Sequence, residues 1–416
     1  MSRERKETQG FEARRAALRL LDAALRRGET LDQAGGAATA GLLTTSDGAL
    51  ARAIASEVLR WLVDLDELID SATPRRLADD AKARTVLRLM LAQWLRLDTP
   101  PHAVIATALP LLAGGPKRLA HGVFGTLVRQ QATLPAAPSL PPEAAARWGE
   151  RATAIAAGLA LPPPLDLTLR DPDSTAEWAE RLGGTSLAPG HVRLPRGAPV
   201  TELAGFGEGA WWVQDFAASL PVRLLGAQPG QEVLDLCAAP GGKALQLAAG
   251  HAAVTALDIS GKRLERVRQN FARTGLACHE LIEADALTWD SDQRFDAVLL
   301  DAPCTATGTA RRHPEVLHRI GPRRIEEMAE LQARLLTRAV HWLKPGGRLV
   351  YSVCSLEREE GEEQARRVEL DPDPICQDEL PAGLSPTAEG WLRTDPGMLA
   401  EHGGLDGFFI ARFRAT

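Results

Sequence analysis

No stretch of this sequence reaches the roughly 20 consecutive uncharged residues that a membrane-spanning helix needs. Its first residues, Met1-Ser2-Arg3-Glu4-Arg5-Lys6, are charged rather than apolar, so no secretion signal is expected and the chain reads as a soluble cytoplasmic protein without a membrane partner. The five cysteines (Cys237, Cys278, Cys304, Cys354, Cys376) include no C-x-x-C pair and none of the spacings of a disulfide scaffold or zinc site. Neither disulfides nor a metal is therefore expected, and reduced thiols are. The nicotinamide-binding pattern G-x-G-x-x-G is missing, and no internal repeat is evident.

The net charge of −6 argues against a polyanionic partner only until it is counted by region. Residues 1–27 hold eight Lys/Arg (Arg3, Arg5, Lys6, Arg14, Arg15, Arg19, Arg26, Arg27) against four acids, and residues 302–350 hold nine against four. Residues 355–416 hold six against fourteen, so the acidity gathers at the tail. RNA stays open as a partner beside the plainer reading of Arg-rich helix faces as solvated surface.

At 416 residues the chain is long enough for two or three packed domains. The first third is rich in Ala, Leu and Arg. Leu18, Leu21 and Leu25 share one helix face; Val86, Met90 and Trp94 share another, with Leu87, Leu91 and Leu95 alongside. Seven prolines gather between Leu134 and Pro164 around one short Ala-rich stretch, the composition of a linker. The expected organisation is a helical domain over 1–133, a Pro-rich linker over 134–164, a small α/β subdomain over 165–225 and a larger α/β domain over 226–416. In that last part short apolar strands (232–236, 253–258, 280–284, 296–301, 348–354) alternate with helices, which predicts a doubly wound, mainly parallel sheet. Phe408–Phe413 reads as a late added strand.

Ligands of such sheets bind beyond the carboxyl ends of the strands. The first strand runs into Asp235-Leu-Cys237-Ala238-Ala239-Pro240-Gly241-Gly242-Lys243, whose small residues let backbone approach a ligand at a helix N-terminus. Asp258 ends the second strand, placed to hold ribose hydroxyls, and Asp285 and Asp301 end the next two. A nucleoside-bearing methyl donor fits this set better than a hydride carrier. Cys304, in Asp301-Ala-Pro-Cys304, and Cys354, in Tyr351-Ser-Val-Cys354-Ser355, lie at the ends of adjacent strands. Either alone reads as an ordinary buried thiol, but the pair suits methylation of pyrimidine carbon 5, which is unreactive until a thiolate adds to carbon 6. Amine methylation needs no thiol. The residues alone leave open which cysteine attacks.

These three motifs resemble the signatures of the Nop2/Sun family of RNA cytosine-5 methyltransferases. Leu87-Arg-Leu-Met-Leu-Ala-Gln-Trp-Leu-Arg-Leu-Asp-Thr-Pro-Pro-His-Ala-Val104 and Phe124-Gly-Thr-Leu-Val-Arg129 resemble the NusB-like RNA-binding domain of its bacterial ribosomal RNA branch. The resemblance implies an all-α NusB-like domain followed by a Rossmann-like α/β domain. It implies S-adenosylmethionine as cofactor, held by Cys237, Ala238, Ala239, Pro240, Gly241, Gly242, Lys243, Asp258, Asp285 and Asp301. It makes Cys354 the nucleophile, Cys304 the group that assists release and Asp301 the partner of the base's polar edge. It favours small-subunit ribosomal RNA as substrate, with the protein acting as a monomer, and marks Arg311-Arg312-His313-Pro314-Glu315 as a segment that engages RNA. Thr305-Ala306, Val353 and Ala244 stand where the family often has Ser-Gly, Thr and Thr or Ser. Two rival readings are a non-catalytic RNA-binding or ribosome-assembly protein that keeps the fold, and a methyltransferase acting on DNA or free nucleotides. Absence of cofactor binding would favour the first, and RNA–DNA competition would decide the second.

Overall fold

The computed structural model describes residues 3–42 and 44–416, with the side chains of residues 3–9 outside the description. The Arg3, Arg5 and Lys6 side chains in the basic N-terminal count therefore lie outside the described residues. Two compact units are formed, one by Met1–Ala160 with Arg312–Ile320 and the other by Leu161–Arg311 with Gly321–Thr416. No described helix is long and apolar enough to cross a membrane.

The first unit is helical: α1 (Arg3–Arg27), α2 (Leu31–Thr39), α3 (Thr45–Arg60), α4 (Leu62–Ser71), α5 (Lys82–Arg96), α6 (Pro101–Ala108), α7 (Gly114–Arg129), α8 (Pro142–Trp148) and α9 (Ala152–Leu159). α5 packs against α1, α3, α4, α6 and α7, so both of its apolar stripes face inward. Val86, Leu87, Leu89, Met90 and Leu91 are fully buried. Central position also buries arginines, and each is neutralised: Arg84 forks onto Asp70 at 2.6 and 2.9 Å, and Arg88 onto Asp66 at 2.6 and 2.7 Å. Arg14, one of the basic N-terminal set, turns inward and donates to Gln93 at 2.7 Å. Within the Pro-rich stretch, Asp64 accepts from the Ser139 amide and hydroxyl at 3.0 and 2.7 Å.

Residues 312–320 complete this unit. The Leu31 amide donates to Glu315 at 3.0 Å, His318 Nε2 donates to the Leu59 carbonyl at 2.6 Å, and Val316 and Leu317 are buried. In the segment read from the sequence as engaging RNA, Arg312 and His313 are half-buried. Arg311, Pro314 and Glu315 are buried, and the Arg311 guanidinium donates to the Gly403 carbonyl rather than facing solvent.

The second unit opens with β1 (Leu165–Leu169), α10 (Thr175–Leu182), β2 (His191–Leu194) and β3 (Trp211–Val213), a three-stranded antiparallel sheet in the order β2-β1-β3. Buried Asp166 takes both arms of Arg193 at 2.7 Å and the Phe216 amide at 3.0 Å, which pins β1 to the start of α11 (Phe216–Leu225). Next come β4 (Glu232–Leu236), α12 (Gly242–Ala249), β5 (Ala253–Asp258), α13 (Gly261–Thr274), β6 (Glu280–Glu283), β7 (Phe295–Asp301), α14 (Pro322–His341), β8 (Leu343–Val353), α15 (Glu362–Ala365), β9 (Asp371–Pro372), β10 (Leu392–Arg393) and β11 (Phe409–Arg414). The main sheet runs β10-β11-β8-β7-β4-β5-β6, with β9 also on β11. Neighbours among β4–β8 are parallel, and β11, the late strand anticipated from Phe408–Phe413, is antiparallel to β8. The strand order reverses between β4 and β7, which places a ligand crevice over their carboxyl ends.

Candidate active site

The loop after β4 is shaped for close approach. Cys237 and Gly241 take left-handed φ of 62° and 101°, and a Cβ on Gly241 would sit 3.1 Å from Val267. The Ala239–Pro240 bond is cis. Gly242 then opens α12. A cavity of about 380 Å³ lies against this loop, its walls including Trp212, Gln214, Asp235, Ala238, Lys243 and Asp301. Trp212 and Gln214, for which the sequence suggests no role, thus border the site.

Asp235, at the penultimate position of β4, is fully buried, and neither carboxylate oxygen has a hydrogen-bond partner among the described residues. Burial, reinforced by Asp301, pushes its pKa up to about 8. An unpartnered buried acid on a cavity wall is suited to an ammonium-bearing ligand.

Lys243 points inward, and its Nζ meets Asp301 Oδ2 at 2.7 Å while lying 5.3 Å from the centre of the Phe408 ring. Burial opposes its charge, but Asp301 more than compensates and raises its pKa above the ordinary lysine value. The other Asp301 oxygen accepts from Ser352 Oγ at 2.9 Å, a contact set by the parallel β7–β8 register that pairs these two residues. Asp301 is therefore held on both sides, with 31% of its side chain exposed toward the crevice.

Cys304 follows β7 and Cys354 follows β8, and their sulfurs are 3.4 Å apart. Hydrogen bonding to Cys354, then burial, holds the Cys304 thiol well above its ordinary pKa, so in this pair Cys304 keeps its proton. Cys237, beside the loop, is raised to about 12 by burial and by Asp258.

Other anticipated positions are less open. The Asp258 carboxylate accepts from the Ala239 and Ser260 amides at 3.2 and 2.9 Å and twice from Arg263, at 2.8 and 3.0 Å, so its lone-pair sites are filled. Arg263 is a residue the sequence did not single out. Asp285 is half-buried and accepts the Leu287 amide at 2.9 Å. Asp258, Asp285, Cys304 and Cys354 lie outside the walls of the 380 Å³ cavity, whereas Lys243 and Asp301 border it.

The chain is similar to known proteins over most of its length. Residues 222–414 match the family described as 16S rRNA methyltransferase RsmB/F, and residues 12–113 match the NusB family. The ribosomal RNA small subunit methyltransferase B of Xanthomonas campestris is 38% identical over 85% of this chain and 87% of its own length. The protein of the same name from Klebsiella pneumoniae is 36% identical over 89% and 90%. The crystal structure of a methyltransferase homolog protein from Pyrococcus horikoshii, 27% identical, superposes with a TM-score of 0.56 over 70% of this chain and 98% of that one. With two fused family segments in order and relatives at this identity over most of its length, the chain belongs to the RsmB/F family of 16S ribosomal RNA methyltransferases.

Proposed function

We propose that the protein methylates carbon 5 of a cytidine in small-subunit ribosomal RNA, with Cys354 as nucleophile and S-adenosylmethionine as methyl donor. The observation that carries this reading is the pair of sulfurs 3.4 Å apart at the ends of adjacent strands, next to the Lys243–Asp301 pair. The residues present fit the cofactor. Asp235 is an orphaned buried acid suited to its ammonium group, the Cys237–Lys243 loop leaves room for close approach, and Asp258 and Asp285 stand at the next strand ends. When bound, the cofactor supplies an electrophilic methyl on a sulfonium, whose positive charge suits a site where Asp235 and Asp301 outnumber Lys243.

The chain's own residues do the rest. The target base leaves its stack and enters the crevice. Asp301, held by Lys243 and Ser352, hydrogen-bonds the polar edge of the ring and helps protonate it. The Cys354 thiolate adds to carbon 6, which loads electron density onto carbon 5 for alkylation. Cys304 stays protonated while Cys354 attacks. Once Cys354 is bonded to carbon, its hydrogen bond with Cys304 is lost, and the chief cause of the raised Cys304 pKa goes with it. Cys304 can then lose its proton and accept the one on carbon 5. As that C–H bond breaks, its electrons form the ring double bond, the carbon 6–sulfur bond returns its pair to Cys354, and the ring nitrogen gives back through Asp301 the proton it took up during addition. Both thiols must stay reduced, which supports a cytoplasmic setting. We assign salt-dependent phosphate contacts to the helical domain, residues 1–133.

The direct test is incubation with unmodified small-subunit ribosomal RNA and labelled S-adenosylmethionine, followed by mass spectrometry of nucleosides. 5-Methylcytidine is expected; label on an exocyclic amine or a ribose hydroxyl would refute the assignment. A subsidiary expectation concerns Asp258. If it holds ribose hydroxyls, Arg263, 53% exposed, must yield its place. Arg263→Met should then change thermal stability little, since exposed pairs contribute about 0–1 kcal/mol, while calorimetry shows cofactor binding unchanged or tighter. Clearly weaker binding would mean that Arg263 itself holds the ligand.

A further inference from the structure

Outside the groups used above, one buried acid stands out. Glu360 is fully buried in a tail rich in exposed glutamates. Its Oε1 accepts from the Thr305 amide at 2.8 Å and from Gln332 Nε2 at 3.0 Å. Its Oε2 accepts from the hydroxyls of Thr305 and Ser355. Thus all four lone-pair sites are used, and none of the four donors is a cation.

The donors fall in a pattern. Thr305 follows Cys304, and Ser355 follows Cys354. Gln332 reaches from α14 and also donates to the Pro303 carbonyl at 2.9 Å, so the residues on both sides of Cys304 are held. The Tyr351 hydroxyl donates to the Glu360 carbonyl, tying β8 to the same point. The Gly308 amide donates to the Cys354 carbonyl at 3.0 Å and Thr307 Oγ1 accepts the Leu356 amide at 2.9 Å, which extends the tie between the two loops.

We propose that Glu360 is a positioning residue: its carboxylate is the common acceptor that fastens the Cys304 loop to the Cys354 loop and so fixes the sulfur–sulfur distance on which attack and release depend. The inference rests on the roles given above to the two cysteines. A carboxylate suits this task because one rigid planar group takes four donors from three chain segments. The surroundings show why the acid is kept despite its cost: burial pushes its pKa up, and its bonds to Ser355, Thr305 and Gln332 pull the other way. Glutamine can keep the geometry. Its oxygen can face the two N–H donors, and its NH2 can donate to the two hydroxyls, which rotate to accept. Alanine cannot.

The experiment compares wild type, Glu360→Gln and Glu360→Ala by two readouts on the full chain. The first is oxidation by diamide. The Cys304–Cys354 S–S bond forms as the thiols give up two electrons and two protons, and the azo bond takes them up as a hydrazine. Non-reducing peptide mapping follows that bond as a ruler of proximity. Glu360→Ala should form it at least about tenfold more slowly, with Glu360→Gln close to wild type. The second is kinetic. Glu360→Ala should lose about 100-fold in kcat, the scale of an ångström of misplacement, with little change in KM for either substrate, and Glu360→Gln should recover most of it. If Glu360→Ala does not fold, Gln332→Leu, which removes donors to Glu360 and to Pro303, should slow crosslinking in the same direction. Wild-type crosslinking rates in Glu360→Ala, or equal loss in both Glu360 variants, would overturn the inference. Normal crosslinking differences in a protein that makes no 5-methylcytidine would leave the clamp standing and refute the proposed function instead.

Discussion

Cys354→Ala is expected to abolish methyl transfer, lowering kcat on the order of 10^4-fold or more, because the sulfur assigned to attack carbon 6 is removed. Cys304→Ala should behave in the opposite way at one step. It keeps the attacking sulfur but lacks the neighbour 3.4 Å away that takes the carbon 5 proton, so the covalent protein–RNA species should persist and appear as a retarded band on a denaturing gel. Cys354→Ala should show no band and Cys304→Ala a strong one. The reverse pattern would exchange the two roles, as the residues alone permit. Because Cys304 is held protonated chiefly by its bond to Cys354, Cys354→Ala should also make Cys304 easier to alkylate at a given pH, a readout that needs no RNA.

The second large effect is expected at Asp235. Both carboxylate oxygens are buried without partners among the described residues, so the protein before cofactor binding bears the cost of an unsatisfied acid. Asp235→Asn should raise the melting temperature by a few degrees, the scale of about 1 kcal/mol for a unit of this size. The same change should weaken S-adenosylmethionine binding by about 10- to 100-fold, because a charge-assisted bond to the ammonium is lost. The sign of the pH dependence follows from the raised pKa. The unfolded chain releases this proton near the ordinary aspartate value of 3.8, while the folded chain keeps it until about pH 8. Folding therefore loses stability from this group as pH rises between those values. Differential scanning calorimetry of the cofactor-free protein should show that decline in wild type and not in Asp235→Asn. Saturating cofactor should flatten it, since an ammonium favours the ionised form. Equal slopes in the two proteins would remove Asp235 as the source.

The chemistry at the strand ends was legible because strand–loop–helix units place their ends together whatever the details of packing. Asp301 and the two cysteines could be named from motif and topology, and the structure brings the two cysteines within contact of each other and Asp301 onto Lys243. Ser352 left a signal that went unused: two residues before Cys354 on a strand, it points to the same face. Glu360 left almost none. In Glu357-Arg-Glu-Glu-Gly-Glu-Glu every acid looks solvated, and only the path of the chain after β8 decides which are buried. Arg263 illustrates a similar limit. Its reach back to Asp258 follows from the turn at the start of α13, where Ser260 caps the helix. Composition does not distinguish Arg311, because a buried arginine bonded to a backbone carbonyl counts the same in a charge sum as an exposed one.

The seating of residues 312–320 within the helical unit bears on how the protein is made. The helical unit leaves the ribosome without the piece that accepts the Leu31 amide, donates to the Leu59 carbonyl and covers apolar surface with Val316 and Leu317. Synthesis must run on through β1–β7 of the second unit before that piece arrives. Until then the nascent helical bundle waits with a raw edge, the kind of surface that chaperones hold during elongation. A fragment ending at residue 160 inherits that edge permanently, whereas supplying residues 312–320 as a separate peptide should raise its melting temperature.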